Sequence, residues 1–183
     1  MSGTHFPDHT IGSAPQASRR TMEAMAAKQG GRVPSAVARL ATSPETLHGF
    51  LQASAAFESS TLDPLSREVV VMTVATRNDC HICVEMHTGR LRSLGAAPEL
   101  VAALRASASD GRPLPDERLE GVRRFTLAVL ESAGAVGDER LQDFLSLGHT
   151  PRNALEVVLG IGAYTMSTLA NRLTGAPVEA VPV

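Results

Sequence analysis

The stretch RNDCHICVEMHTGR, residues 77–90, holds both cysteines of this 183-residue chain and two of its six histidines. Thiols and imidazoles exchange protons near neutral pH, and thiols also exchange electrons. The spacing Cys80-x-x-Cys83-x-x-x-His87 suits one helix face. At about 100° per residue, Cys83 stands at about 300° from Cys80, Val84 at about 40° and His87 at about 340°. Leu91 and Leu94 follow at about 20° and about 320°, so the two sulfurs and His87 share the apolar, core-facing stripe. His81, Glu85 and Arg92 fall at about 100–140°, on the polar side. His81 and Glu85, four apart, can pair weakly there in solvent.

Sulfurs at i and i+3 of a helix have Cα atoms about 5 Å apart, within disulfide range. Cys80 at the helix start faces unpaired N–H groups and the positive end of the dipole, both of which favour thiolate. His87, one turn beyond Cys83, can exchange a proton with it. The set offers a nucleophilic sulfur, a second sulfur to trap its oxidised form, and a base. Three plainer readings compete. The cysteines are inert small core residues, His87 is a buried histidine bonded to a carbonyl, or Cys80, Cys83, His87 and Glu68 hold zinc. Zinc suits the ligand types, but three ligands from one helix are unusual for a structural site.

Glu68 is the fourth member. It shares a stripe with Val71, Met72 and Ala75 in an otherwise apolar segment. A buried carboxylate is costly without a partner, so there it is either protonated or meets a cation such as His87. Alternatively, in the first turn of its helix, it complements the dipole at a rim.

The elements that must position these groups read as helices throughout. Helices are expected over 16–29, 34–41, 44–57, 64–77, 80–94, 98–106, 116–133, 138–147 and 151–173. Ser43-Pro44, Asp63-Pro64 and Thr150-Pro151 supply N-caps followed by proline at the first helical position. Gly30-Gly31, Gly95, Gly148 and Gly175 supply stops, and Asn78-Asp79 break the chain before Cys80. VVVMTV alone could be a buried strand; its length, its capped start and its neighbours favour a buried helix. A loop is expected around Gly111-Arg112-Pro113. The fold class expected is an all-α bundle of eight or nine helices over 15–183, preceded by a loose or partner-draped arm over 1–14.

Composition is 43% hydrophobic and 20% charged with a net charge of −2, which gives no global case for nucleic acid or an anionic membrane. Arg19-Arg20 and Arg123-Arg124 are expected on a solvated surface. No run of 18 apolar residues suggests a membrane span, and MSGTHFPDHTIGSAPQ does not read as a signal peptide. A cytoplasmic protein is expected, where a close cysteine pair is more often catalytic or metal-binding than structural. Tyr164 and Asn171, two turns apart on the last helix, are secondary candidates for a pocket lining. His149 reads as a plain loop residue, and Val157, Val158, Leu159 and Ile161 as core or subunit contact.

SREVVVMTVATRNDCHICVEMHTGRLRSLG, residues 66–95, resembles the alkylhydroperoxidase D-like (AhpD-like) branch of the carboxymuconolactone decarboxylase family. That pattern has a Glu, 12 positions to the first Cys, C-x-x-C, then three residues and a His; Glu68, Cys80, Cys83 and His87 match it. GHTPRNALEVVLGIGAYTMSTLANRLTG, residues 148–175, is similar to the family's closing helices. The resemblance implies an all-helical AhpD-like fold, a homo-oligomer (trimer or hexamer), and thiol-dependent reduction of small hydroperoxides without haem or flavin; no metal or other cofactor is expected. An external dithiol or thiol protein would then be the reductant. Well-studied peroxidases of the family carry a second histidine directly before the second cysteine, where this chain has Ile82. On this reading Cys83 attacks the peroxide, Cys80 resolves the sulfenic acid, and Glu68–His87 relays the proton. Three rivals use the same residues differently: a general disulfide oxidoreductase, a redox sensor, and a lyase or decarboxylase that needs His87 and Glu68 but not the sulfurs.

Overall fold

The structure, a computed structural model, describes residues 5–28, 30–106 and 112–178. Among these are nine α-helices and no strand: α1 (Gln16–Lys28), α2 (Ser35–Leu40), α3 (Pro44–Glu58), α4 (Pro64–Arg77), α5 (His81–Ser93), α6 (Pro98–Arg105), α7 (Glu117–Glu131), α8 (Asp138–Ser146) and α9 (Pro151–Thr174). Gln29, Gly111 and the first four residues of the expected arm lie outside the described residues. Within that arm, Asp8 accepts from Arg39 Nε at 2.8 Å and Ala14 is buried.

The bundle is organised around α4. Asp63 caps it by accepting from the Ser66 N–H at 3.0 Å, and Pro64 begins it without leaving an unbonded donor. Every residue from Glu68 to Ala75 is buried. A helix apolar on all sides must be covered on all sides, and α5, α6, α7 and α9 cover this one. The VVVMTV run is therefore a central helix and not a strand.

The longest element, α9, runs across α3 and α4. Thr150 and Asn153 form a reciprocal capping box at its start, and Gly175 ends it in the left-handed conformation, with φ 63°. Gly160 lets it approach closely: a Cβ there would lie 2.6 Å from the Phe57 ring. Arg39 Nη1 donates to the Thr174 carbonyl at 2.6 Å, tying α2 to the far end of α9. The opposite face of α9 is uncovered and apolar. Leu155 and Leu173 are each 73% exposed, and Val158, Leu159, Met166 and Leu169 lie on the same side. Val157, by contrast, is wholly buried. The sequence reading placed Val157, Val158 and Leu159 in one category; the structure divides them by face.

One surface expectation needs correction. Arg123 is buried and pairs with Glu120 Oε2 at 2.8 Å, because α7 turns that residue toward the loop whose Arg112 carbonyl it also meets. His149 lies in the loop before α9, as expected, but not at the surface. Its ring is buried and stacks on Phe144 at 4.3 Å, and that burial holds its pKa below the ordinary histidine value.

Candidate active site

The position of Cys80 follows from how α4 ends. Asp79 adopts φ 52°, a left-handed value that aspartate tolerates better than most residues. The Asp79 N–H bonds to the Thr76 carbonyl at 3.1 Å and the Cys80 N–H to the Ala75 carbonyl at 2.9 Å. That pair of bonds is a Schellman motif, and it delivers Cys80 as the residue before α5. Cys80 is thus the N-cap of α5, not its first helical residue, and α5 begins at His81. The corner is clamped from outside. Asn78 Nδ2 donates to Thr168 Oγ1 at 2.8 Å, and Arg172 bonds to the Asn78 carbonyl and approaches Asp79 Oδ2 at 3.5 Å.

Both sulfurs face inward, with Cys80 at 1% exposure and Cys83 at 4%. They are free thiols. The Cys83 thiol hydrogen-bonds Cys80. Together with the Cys83 backbone N–H, the Asn171 amide and the charge of Arg172, this lowers the Cys80 pKa to about 7 despite burial. The same hydrogen bond, reinforced by burial, pushes the Cys83 thiol up. Loss of the first proton of the pair is thereby brought close to neutral pH, and the resulting negative charge rests on Cys80 at the helix tip. Asn171 Nδ2 also reaches Cys83 Sγ at 3.4 Å and Ser167 Oγ at 3.5 Å.

Glu68 does not sit at a rim. It is 2% exposed, and its Oε2 lies 2.8 Å from His87 Nδ1. Of the two readings open to that residue, α4 and α5 enforce the inward one. A carboxylate accepting from Nδ1–H fixes the tautomer that leaves the lone pair on Nε2. Arg90 Nε stands 4.0 Å from the other carboxylate oxygen and Arg90 Nη2 stands 3.6 Å from Glu58. Tyr164 meets the His87 ring edge-on at 5.3 Å, and its hydroxyl lies 3.4 Å from Ser54 Oγ. Burial raises the Tyr164 pKa, so the phenol stays neutral.

These groups border a cavity of about 270 Å³. Cys83, His87, Tyr164, Ser167 and Asn171 form its polar wall, and Phe50, Leu47 and Val37 contribute to the apolar remainder. The four residues singled out by spacing are thus brought together, and Tyr164 and Asn171 do line the pocket. His81 is on the surface as expected, with its side chain 80% exposed, but its neighbour is Asp79 at 3.6 Å. Glu85 pairs instead with Arg105 at 2.5 Å, because α6 lies alongside α5. Ser54, Ser167, Arg90 and Arg172 were missed. Ser167 carried a legible signal, since Tyr164, Ser167 and Asn171 make a polar row at three- and four-residue steps on an otherwise apolar helix. Ser54 and Arg172 carried none, because only tertiary packing brings Ser54 to Tyr164 and Arg172 to Cys80. Among the described residues, no three His, Cys, Asp or Glu side chains converge as metal ligands. No helix among them is long and apolar enough to cross a membrane.

Comparison with known proteins agrees with this picture. No curated protein matches the chain. An uncharacterized peroxidase-related protein from Ralstonia eutropha JMP134, described as having an alkylhydroperoxidase AhpD core, superposes with a TM-score of 0.80. The two are 20% identical over 94% of this chain and 90% of that one. An uncharacterized peroxidase-related protein from Silicibacter sp. TM1040 gives a TM-score of 0.76 at 20% identity, covering 94% and 89%. A protein of unknown function from Agrobacterium tumefaciens gives 0.62 at 19% identity, covering 77% and 93%. The profile of the Carboxymuconolactone decarboxylase family matches residues 42–112, the stretch that carries Glu68, Cys80, Cys83 and His87. The chain thus has the AhpD-like all-α fold over most of its length, and its residues 42–112 match the model of the carboxymuconolactone decarboxylase family.

Proposed function

We propose that the chain reduces small hydroperoxides with the Cys80–Cys83 dithiol and is returned to its reduced form by an external dithiol or thiol protein. The observation that carries this reading is the 2.8 Å bond between Glu68 and His87, set in the cavity that Cys83 also lines. His87 Nε2 takes one proton from the dithiol, leaving one proton and one negative charge on the two sulfurs. The charge rests on Cys80 and passes to Cys83 as the remaining proton crosses the hydrogen bond between them. The Cys83 thiolate attacks the distal peroxide oxygen. The O–O bond breaks, and the departing alkoxide takes its proton from the His87 imidazolium, whose charge Glu68 balances. Cys83 is now a sulfenic acid. The Cys80 thiol displaces its hydroxyl, forming the disulfide and one water. Two electrons from the reductant then restore both thiols.

The AhpD core and peroxidase-related descriptions of the Ralstonia and Silicibacter proteins point the same way. The test is consumption of tert-butyl hydroperoxide with dithiothreitol as reductant. Wild type should turn over, and the Cys80→Ser/Cys83→Ser double variant should match the buffer rate. Equal rates for the two proteins would end this reading. Reduction of insulin disulfides without hydroperoxide consumption would replace it with a general disulfide oxidoreductase.

A homo-oligomer is part of the same proposal. Leu155, Leu169 and Leu173 lie on one outward stripe of α9, a face of the kind that subunits cover. Sedimentation should give a particle that is a multiple of the 19.3 kDa chain, and Leu169→Glu should shift it toward the single chain.

A further inference from the structure

Two cavities reach the cysteine pair from different sides. The first is the 270 Å³ cavity with Cys83, His87 and Tyr164 in its wall. The second, about 300 Å³, contains Cys80 and is bounded by Asp79, His81, Ile82, Arg172, Ala176 and Val178. Asn171 is the partition between them, contributing to both. Among the described residues that line them, each cavity has one sulfur and not the other.

Thiol–disulfide exchange needs the attacking, central and leaving sulfurs nearly in line. A reductant that attacks Cys80 must therefore arrive from the side away from Cys83, and the second cavity reaches Cys80 without Cys83 in its lining. Resting on the redox reading above, we propose that the reductant enters through this second cavity and forms its mixed disulfide at Cys80, while the hydroperoxide uses the first cavity at Cys83. The occupant is a small or slender dithiol. Cys80 is only 1% exposed, which favours a slender sulfur over one held on the flat surface of a folded protein.

The chemistry balances. A reductant thiolate bonds to Cys80 Sγ, the Cys80–Cys83 bond breaks, and its electron pair stays on Cys83. The Asn171 amide at 3.4 Å and the Ser167 hydroxyl receive that charge, and Cys83 then takes a proton. The second thiol of the reductant next attacks its own sulfur in the mixed disulfide. Cys80 leaves as thiolate, and the reductant departs as a disulfide. Cys80 is the better of the two sulfurs for that last step, because a thiol of lower pKa leaves faster.

The test isolates the reductive half-reaction. The disulfide is made with diamide, so it forms whether or not hydroperoxides are substrates. It is then treated briefly with the monothiol 2-mercaptoethanol and quenched with iodoacetamide. Mass spectrometry should find mercaptoethanol on Cys80 and the alkyl group on Cys83. Val178→Trp, which narrows the second cavity from an exposed position, should slow reduction by dithiothreitol by about tenfold, as lost access to the sulfur does. Val37→Trp, in the wall of the first cavity, should leave that rate unchanged. Mercaptoethanol found on Cys83, or slowing by Val37→Trp and not by Val178→Trp, would overturn the two-entrance assignment. Efficient reduction by thioredoxin in place of dithiothreitol would overturn the small-dithiol assignment. If hydroperoxide fails to oxidise the protein while these reductive results hold, the peroxidase reading fails alone.

Discussion

Cys83→Ser should abolish hydroperoxide consumption, by roughly 10³-fold or more, the scale expected when a covalent nucleophile is lost. A serine hydroxyl fits the space of the thiol but does not ionise under these conditions. The side chain is almost wholly enclosed, and Asn171 can donate to oxygen as it does to sulfur, so the helical content should be retained. Cys80→Ser should behave differently. It should stop turnover but still react once, because no second sulfur remains to condense with the sulfenic acid. Dimedone should then label Cys83 after one equivalent of hydroperoxide. The electrostatics sharpen this contrast. In wild type the single-turnover rate should rise as pH increases through about 7, where the pair loses its first proton. Without the Cys80 thiol, the charge of Arg172 and the backbone N–H no longer act on a shared proton. Cys83 must then lose its own proton unaided by its neighbour, and the rise should move to higher pH. A dimedone label found only on Cys80, in the Cys83→Ser variant, would exchange the roles of the two sulfurs.

That the resting charge sits on Cys80 and the cavity wall belongs to Cys83 explains why sequence alone left the roles in tension. The helix start favours thiolate at residue 80, and proximity to His87 favours reaction at residue 83. The two arguments are compatible, because the Cys83 thiol hydrogen-bonds Cys80. The angle count could place both on one face. It could not reveal that Cys80 is an N-cap, held by the Schellman turn through Asp79.

Glu68 was legible as an anomaly, a carboxylate on an apolar stripe, but not as a partner. A first-turn acid is equally at home at a rim. Only the packing of α5 on α4 decides the matter, by bringing His87 against it. The same logic separates the helix boundaries, which capping residues announce locally, from the surroundings of the sulfurs, which come from α3 and α9. Asn171 lies 88 residues from Cys83, and nothing in the CxxC spacing points to it. The surface reading of Arg123 failed for a related reason. Polar type suggested solvent, whereas the largely enclosed Glu120 supplied a partner, just as Phe144 supplies a stacked ring to the loop residue His149.

The His87–Glu68 pair carries the second large prediction. His87→Ala should lower hydroperoxide turnover at neutral pH by about 10²–10⁴-fold, the range associated with a positioned acid–base group. Part of the loss should return at higher pH, where solvent hydroxide can remove the thiol proton, but not all of it. The alkoxide still departs without its acid. Free imidazole should restore some activity, since the variant enlarges a cavity of about 270 Å³ and leaves Glu68 in place to orient the guest. Glu68→Gln is the complementary test. Its amide oxygen can still accept from Nδ1–H, so the ring stays in place, but the charge that balances the imidazolium is gone. The loss should therefore be smaller than for His87→Ala, about 10–10²-fold, with little change in thermal stability. Glu68→Leu removes both charge and acceptor. It leaves a half-buried N–H unpaired, which costs about 1–3 kcal/mol, and should lower the melting temperature as well as the rate. A structural role alone predicts that rate and stability fall together across the series. The relay predicts that they separate at Glu68→Gln, where the fold persists and the chemistry does not. Full activity in both His87→Ala and Glu68→Gln would mean that the sulfurs lose and regain their protons by themselves, leaving the 2.8 Å pair a strut between α4 and α5.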